Sequence, residues 1–178
     1  MAMHEDTKEI LFWMGLLNLA MQTTEELFDT VLIMVFPGKQ RMTLEVLERL
    51  ERERRSRTLG RLVKQMRDRV ALRPDLEELL NDFVLHRNQL THRLRDVPGW
   101  DLDSVEGRKV AWQFLSRVCA ENQTVMEVLF GFLMAWTDEN ELKIGEELLA
   151  KFHKSFPEVP KYAAMIDDLV SPKEKVLG

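Results

Sequence analysis

The chain is short of the residues that build cross-linked, loop-rich or strand-rich proteins. In 178 residues it has one cysteine, one tyrosine, eight glycines and six prolines. A lone thiol, Cys119, excludes an intrachain disulfide and a cysteine-based metal cluster, and it fits a reducing compartment. Low glycine and proline argue against a loop-rich or disordered chain. Also missing are a glycine-rich phosphate loop, a dinucleotide fingerprint, a Gly-x-Ser-x-Gly elbow and a His-Glu-x-x-His motif, so nucleotide hydrolases and metalloproteases lose support. The apolar run from Ile10 to Met21 is broken by Asn18 and followed by Gln22, Thr23, Thr24, Glu25 and Glu26, too polar for a membrane span. Glu5, Asp6 and Glu9 precede that run, the reverse of a signal peptide's positive start. The expectation is a cytoplasmic protein with no membrane segment, no cofactor and no metal site.

What is abundant favours helices. Leu, Glu, Arg and Met are prominent, and such side chains, unbranched at Cβ, lose little rotamer freedom on a helix. The length suits one domain with a proper core. The expected fold is all-α: a bundle of five to six helices, two of them long, forming one domain over 1–178 with 157–178 as a C-terminal appendage. No strand and no internal repeat is evident.

The net charge of −5 hides an asymmetry. Residues 1–38 hold one lysine against six acids, whereas 39–73 hold twelve Lys and Arg against five acids. Closely spaced guanidinium groups favour a polyanion, although charge runs are more often a solvated helix face.

In chain order, Ile10–Phe36 reads as one long helix ending at Pro37-Gly38, with Phe12, Trp13 and Phe28 assigned to the core. Thr43 caps a second helix with Leu44, Leu47 and Leu50 on its apolar stripe, followed by Arg52, Arg54, Arg55 and Arg57. A helix resumes near Thr58 with Leu59, Leu62, Val63, Met66 and Val70 at helical spacing, and Arg61, Lys64, Arg67 and Arg69 off the stripe. Pro74 and Asp75 start the next helix, with Asp75 able to cap it. Its stripe passes through Leu76, Leu80, Phe83, Arg87, Leu90 and Leu94, and Val97-Pro98-Gly99 closes it. Ser104 caps a long helix running inward through Val105, Ala111, Phe114, Val118, Cys119 and Val125 to Trp136, with Asn122 a satisfied core amide on that stripe. Cys119 reads as a buried small hydrophobe. Leu142, Gly145, Leu149 and Phe152 form a further inward face, and Tyr162 to Leu169 a short terminal helix.

Arg87 is the position that demands an explanation, because a guanidinium in line with an apolar face must find acceptors. Asn88 and His92 lie four residues apart and share a face; Arg87 is rotated by roughly 100° from Asn88. A two-fold copy of this helix would gather two arginines and two histidines in one cleft. Such a set suits RNA cleavage: histidine exchanges the protons of the 2′-OH and the 5′-oxygen, and arginine neutralises charge on the phosphorane.

The segment Arg87-Asn88-Gln89-Leu90-Thr91-His92 resembles the R-x4–6-H signature of the HEPN superfamily (higher eukaryotes and prokaryotes nucleotide-binding domains), in which the residue after the arginine is typically Asn, Asp or His. Leu79 to His86 and Arg93-Leu94 are similar to the flanks in small prokaryotic HEPN-like proteins. Thr58-Leu59-Gly60-Arg61-Leu62-Val63 is similar to a Thr-Leu-Gly segment on the preceding helix. The resemblance spans about residues 58–95. It implies a dimeric α-helical bundle in which Arg87 and His92 form a metal-independent ribonuclease site at the subunit interface, oriented by Asn88. Arg93, Arg61, Lys64 and Arg57 are the expected phosphate contacts. Family members serve as toxins, abortive-infection effectors or CRISPR-associated nucleases, and some are inactive, so a protein antitoxin or regulatory partner is also implied. The other reading of the same residues stays open: Arg87 as a buried ion-pair partner, His92 as a solvent-facing residue, and the chain as a non-catalytic helical interaction module whose basic 52–69 surface meets an acidic partner.

Overall fold

The computed structural model describes residues 4–36, Glu45 and 58–172. Among them the chain is all-α apart from one two-stranded pairing. The elements are α1 (Glu5–Met34), α2 (Leu59–Arg69), β1 (Val70–Leu72), α3 (Pro74–His92), a 3-10 turn (Leu94–Asp96), α4 (Val105–Glu139), α5 (Glu146–Ser155), α6 (Val159–Ala164), α7 (Ile166–Leu169) and β2 (Val170–Pro172). The two long helices expected from the sequence are α1, with 30 residues, and α4, with 35. Apart from Glu45, which is helical, the second helix capped by Thr43, with its arginines at 52, 54, 55 and 57, lies outside the described residues.

The chain forms two compact units, each built from two segments. The first comprises 1–24 and 78–125. Its core joins Ile10 and Met21 of α1 to Leu80 and Phe83 of α3 and Phe114 and Val118 of α4, all buried. Burying six such side chains stabilises the unit by about 1.5–3 kcal/mol each before chain entropy is counted. Ser104 caps α4 as expected, its hydroxyl accepting from the Gly107 N–H at 3.1 Å. Gly107 is required there, because a Cβ would overlap the Asp101 carbonyl oxygen. Buried Arg108 holds the same loop through the Leu102 and Asp103 carbonyls, both at 3.1 Å.

The second unit comprises 25–77 and 126–178. Phe28 and Leu32 of α1, Leu62 and Met66 of α2, and Leu129 and Phe132 of α4 are buried in it. The end of α1 carries no basic residue of its own, and Arg69 of α2 supplies one, donating to the Leu32 and Phe36 carbonyls. Val70, Ala71 and Leu72 pair antiparallel with Pro172, Ser171 and Val170, and the Arg73 N–H extends the join to the Leu169 carbonyl. The helical turn at Tyr162 passes so close to α4 that a Cβ on Gly131 would lie 2.6 Å from the Tyr162 Cβ.

Several expectations are corrected. Phe12 and Trp13 are 62% and 46% exposed, whereas Phe28 is buried. The helix is apolar around most of its circumference at 10–21, so periodicity could not tell its inner face, through Ile10, Leu17 and Met21, from its outer one. Cys119 is exposed, because Val118 takes the inward position on that turn of α4. Val105 and Leu142 are also exposed, and Gly145 is the residue before α5 rather than part of an inward face. Asp75 does not cap α3 from outside. It stands on the first turn and accepts both the Leu76 N–H, at 2.9 Å, and the Arg73 guanidinium, at 2.6 and 2.7 Å. The short strand pairing was not anticipated.

Candidate functional site

The residues singled out for chemistry sit at the C-terminal end of α3. Leu76, Leu80, Phe83 and Leu90 make its buried stripe, and Arg87, between the last two, is half-buried. Its guanidinium donates to the side-chain oxygen of exposed Asn88 at 3.3 Å. The Arg87 carbonyl accepts the Thr91 hydroxyl at 2.9 Å, and that hydroxyl also lies 3.2 Å from the side-chain oxygen of Asn18 on α1. Thr91 thereby ties this end of α3 to α1.

His92 is the last residue of α3 and is exposed. The helix stops because Arg93 leaves helical geometry, with φ −141° and ψ 42°, and the chain turns through the 3-10 segment towards Pro98. The turn leaves an open depression of about 530 Å³ lined by Thr91, His92, Arg93, Leu94, Arg95 and Asp96. Two guanidinium groups and one imidazole border it against one carboxylate, a balance that favours an anion. Arg87 and Asn88 stand one to two turns back on α3 and do not line the depression. The structure therefore joins Arg87 to Asn88 and His92 to Arg93, as two neighbouring pairs on one helix end.

The other expected phosphate contacts lie elsewhere. Arg61 and Lys64 are exposed on α2 in the second unit, and Arg57 lies outside the described residues. Two further basic residues of α2 make structural contacts: Arg67 meets Glu77 at 3.2 Å, and Arg69 meets the end of α1.

Sequence reasoning missed a second histidine beside the site. Nδ1 of His86 lies 2.8 and 3.0 Å from the two carboxylate oxygens of Glu121 on α4, and its ring meets Phe114 edge-on at 5.9 Å. Both side chains are mostly shielded, at 12% and 15% exposure. The available signal was position: His86 falls three residues after Phe83 and four before Leu90, on the side of α3 that packs inward. Asn18 was visible only as an interruption in an apolar run.

Among the described residues, no group of three or more His, Cys, Asp or Glu could hold a metal ion, and no helix is long and apolar enough to cross a membrane. Compared with known proteins, the chain matches no family model, no curated protein and no solved structure.

Proposed function

We propose that the chain is a HEPN-like, metal-independent endoribonuclease that acts as a homodimer in the cytoplasm, as a toxin or defence effector restrained by a protein antitoxin or regulatory partner. The observation that carries this reading is the exposure of His92 at a helix end bordered by Arg93 and Arg95, one turn beyond the Arg87–Asn88 hydrogen bond. A solvent-facing imidazole can reach a ribose, and the guanidinium groups can meet the phosphate.

In the proposed reaction one imidazole takes the 2′-OH proton as that oxygen attacks the adjacent phosphorus. The P–O5′ bond breaks, and a protonated imidazole returns a proton to the departing 5′-oxygen. The products are a 2′,3′-cyclic phosphate and a 5′-hydroxyl. Each copy contributes one His92, and pairing two copies provides one base and one acid. Asn88 holds the Arg87 guanidinium in register with the charge that develops on the phosphorane.

The test is cleavage of single-stranded RNA by the purified full chain, with and without EDTA, and with His92→Ala and Arg87→Ala. The expected result is EDTA-insensitive cleavage with cyclic-phosphate ends, lowered at least 100-fold by either substitution while helicity is unchanged. No turnover at high protein concentration, or full activity in His92→Ala, overturns the proposal.

A second reading is favoured by a different observation, the outward-facing Phe12, Trp13 and Leu19. The largest apolar patch on a protein surface is often functional, and a non-catalytic interaction module would use this one.

A further inference from the structure

We propose that an amphipathic helix of another protein, apolar along one stripe and carrying Lys or Arg at one end of it, docks along an outer seam of α1. Glu5, Glu9, Phe12, Leu16, Leu19 and Thr23 are all exposed and follow one another at alternating spacings of four and three residues. That is the 3.5-residue repeat with which one helix packs along another. At about 100° per residue the six lie within roughly 80° of the circumference, a strip that one facing helix covers. The opposite side of α1 is already occupied by its own core, through buried Ile10, Leu17 and Met21. All these residues belong to the first compact unit.

The middle of the seam supplies the apolar contact. Phe12, Leu16 and Leu19 stand at positions i, i+4 and i+7, the anchor spacing by which a helix is recognised, and are 62%, 41% and 61% exposed. Trp13 borders the seam on one side, its ring edge-on to Phe12 at 6.3 Å. Single exposed leucines are ordinary, but among the described residues five of the nine exposed large apolar side chains fall between Leu11 and Leu19. That concentration on one stretch of helix marks a surface built for a partner.

Charge selects the occupant. At the start of α1, Glu5, Asp6 and Glu9 stand against Lys8, which lies 2.8 Å from Glu5, while Asp6 lies 3.4 Å from His4 and 3.7 Å from Arg108. Glu9, in the seam itself, makes no ion pair among the described residues. A cation on the facing helix completes that end, and complementary charge of this kind fixes register and rejects wrong partners. A second copy of the chain does not fit the seam: in parallel it sets Glu9 on Glu9, and antiparallel it leaves both acidic ends without a cation. Nor does a lipid surface, since helices that lie on membranes present Lys and Arg where α1 presents acids. The docking deepens the interaction-module reading and rests on it, not on the ribonuclease reading.

The experiment is a fluorescence-anisotropy titration of the full chain against a labelled designed peptide of about three heptads, with Leu on its stripe and Lys beside it, and against the same peptide with Glu in place of Lys. Phe12→Gln/Leu16→Gln and, separately, Glu9→Lys are the variants. All three positions are open to solvent, so helicity and melting temperature should stay near wild type. The expected result is binding of the Lys peptide at least about tenfold tighter than the Glu peptide, weakened at least about tenfold by the double variant, with the preference between peptides narrowed or reversed by Glu9→Lys. Absence of binding at the highest concentration overturns the proposal. So does binding indifferent to the double variant or to Glu9→Lys, or self-association of the chain that the double variant abolishes. The two readings fail separately: RNA cleavage by a chain that still binds the Lys peptide defeats the non-catalytic reading alone, and a chain that neither cleaves RNA nor binds the peptide defeats the docking without touching that reading.

Discussion

The Thr24 hydroxyl lies 2.8 Å from the side-chain oxygen of Asn122, joining α1 to α4 between residues 98 positions apart. Thr24 is fully buried and Asn122 is 5% exposed, so neither can turn to water instead. The same hydroxyl is 3.1 Å from the Ala20 carbonyl, and one proton cannot serve two acceptors fully. With the Asn122 amide turned so that its nitrogen donates to Thr24, both contacts are satisfied.

Thr24→Val should therefore cost about 1–3 kcal/mol, because it leaves the Asn122 amide buried with a lost partner. Thr24→Val/Asn122→Leu should cost less than the sum of the two single changes, since removing both polar groups removes the unpaired one. Urea denaturation of the four proteins closes the cycle. Additive costs would show that the hydrogen bond couples nothing.

The helices that position the candidate site were readable in the sequence, as was the buried stripe of α3, but the outer face of α1 was not. Ser104 and Asn122 took their expected roles because a cap is a local matter and an amide in a long apolar stripe has few alternatives. Phe12 and Trp13 were misplaced because an almost all-apolar segment has no polar face to mark the outside. The β1–β2 pairing joins residues about 100 positions apart through three residues each, too few for alternation to register. His86 went unnoticed for a similar reason: its partner Glu121 is supplied by another helix, 35 residues on. The start of α3 at Pro74 was legible, but its end was placed too late: the stripe was carried through Leu94 to Val97-Pro98-Gly99, whereas Arg93 leaves helical geometry and a 3-10 turn intervenes.

Close approach at Gly131 makes a second prediction. Replacing a helix-interior glycine with alanine ordinarily gains about 0.5–1 kcal/mol. Here the added methyl would lie 2.6 Å from the Tyr162 Cβ and 2.9 Å from the Ala163 nitrogen, and backbone at that distance cannot swing aside. Gly131→Ala should reverse the sign and cost about 1–3 kcal/mol in chemical denaturation. A stabilised Gly131→Ala would show that the turn at Tyr162 does not sit against α4 in solution.

The Arg73 guanidinium, bonded to both Asp75 oxygens, holds that carboxyl below its ordinary value of 3.8. A carboxylate whose folded value is depressed stabilises the fold above the unfolded value, and its contribution is lost as pH falls through the folded one. Asp75→Asn should melt slightly below wild type at neutral pH, and the gap should close below about pH 3.8, the ordinary value of the carboxyl. The pair is exposed, so added salt should shrink the gap as well. Thermal melts across acid pH read this directly, and a gap that widens on acidification would contradict it.

His86 and His92 stand six residues apart on α3, and their surroundings differ. His86 is shielded, with Nδ1 at 2.8 Å from the Glu121 carboxylate and Phe114 against its ring, so it braces α3 on α4. His86→Gln should lower stability by about 1–3 kcal/mol, because Glu121 is left largely shielded without its partner. At a temperature where that variant is fully folded, its RNA cleavage should match wild type. His92 is exposed beside Arg93, so His92→Gln should leave the denaturation curve in place and, under the proposed ribonuclease reading, abolish cleavage. The crossed outcome separates bracing from chemistry in a way that neither substitution does alone. If a folded His86→Gln protein loses cleavage while His92→Gln keeps it, the reactive pair is His86 and Glu121, and the depression at the end of α3 is only a binding surface.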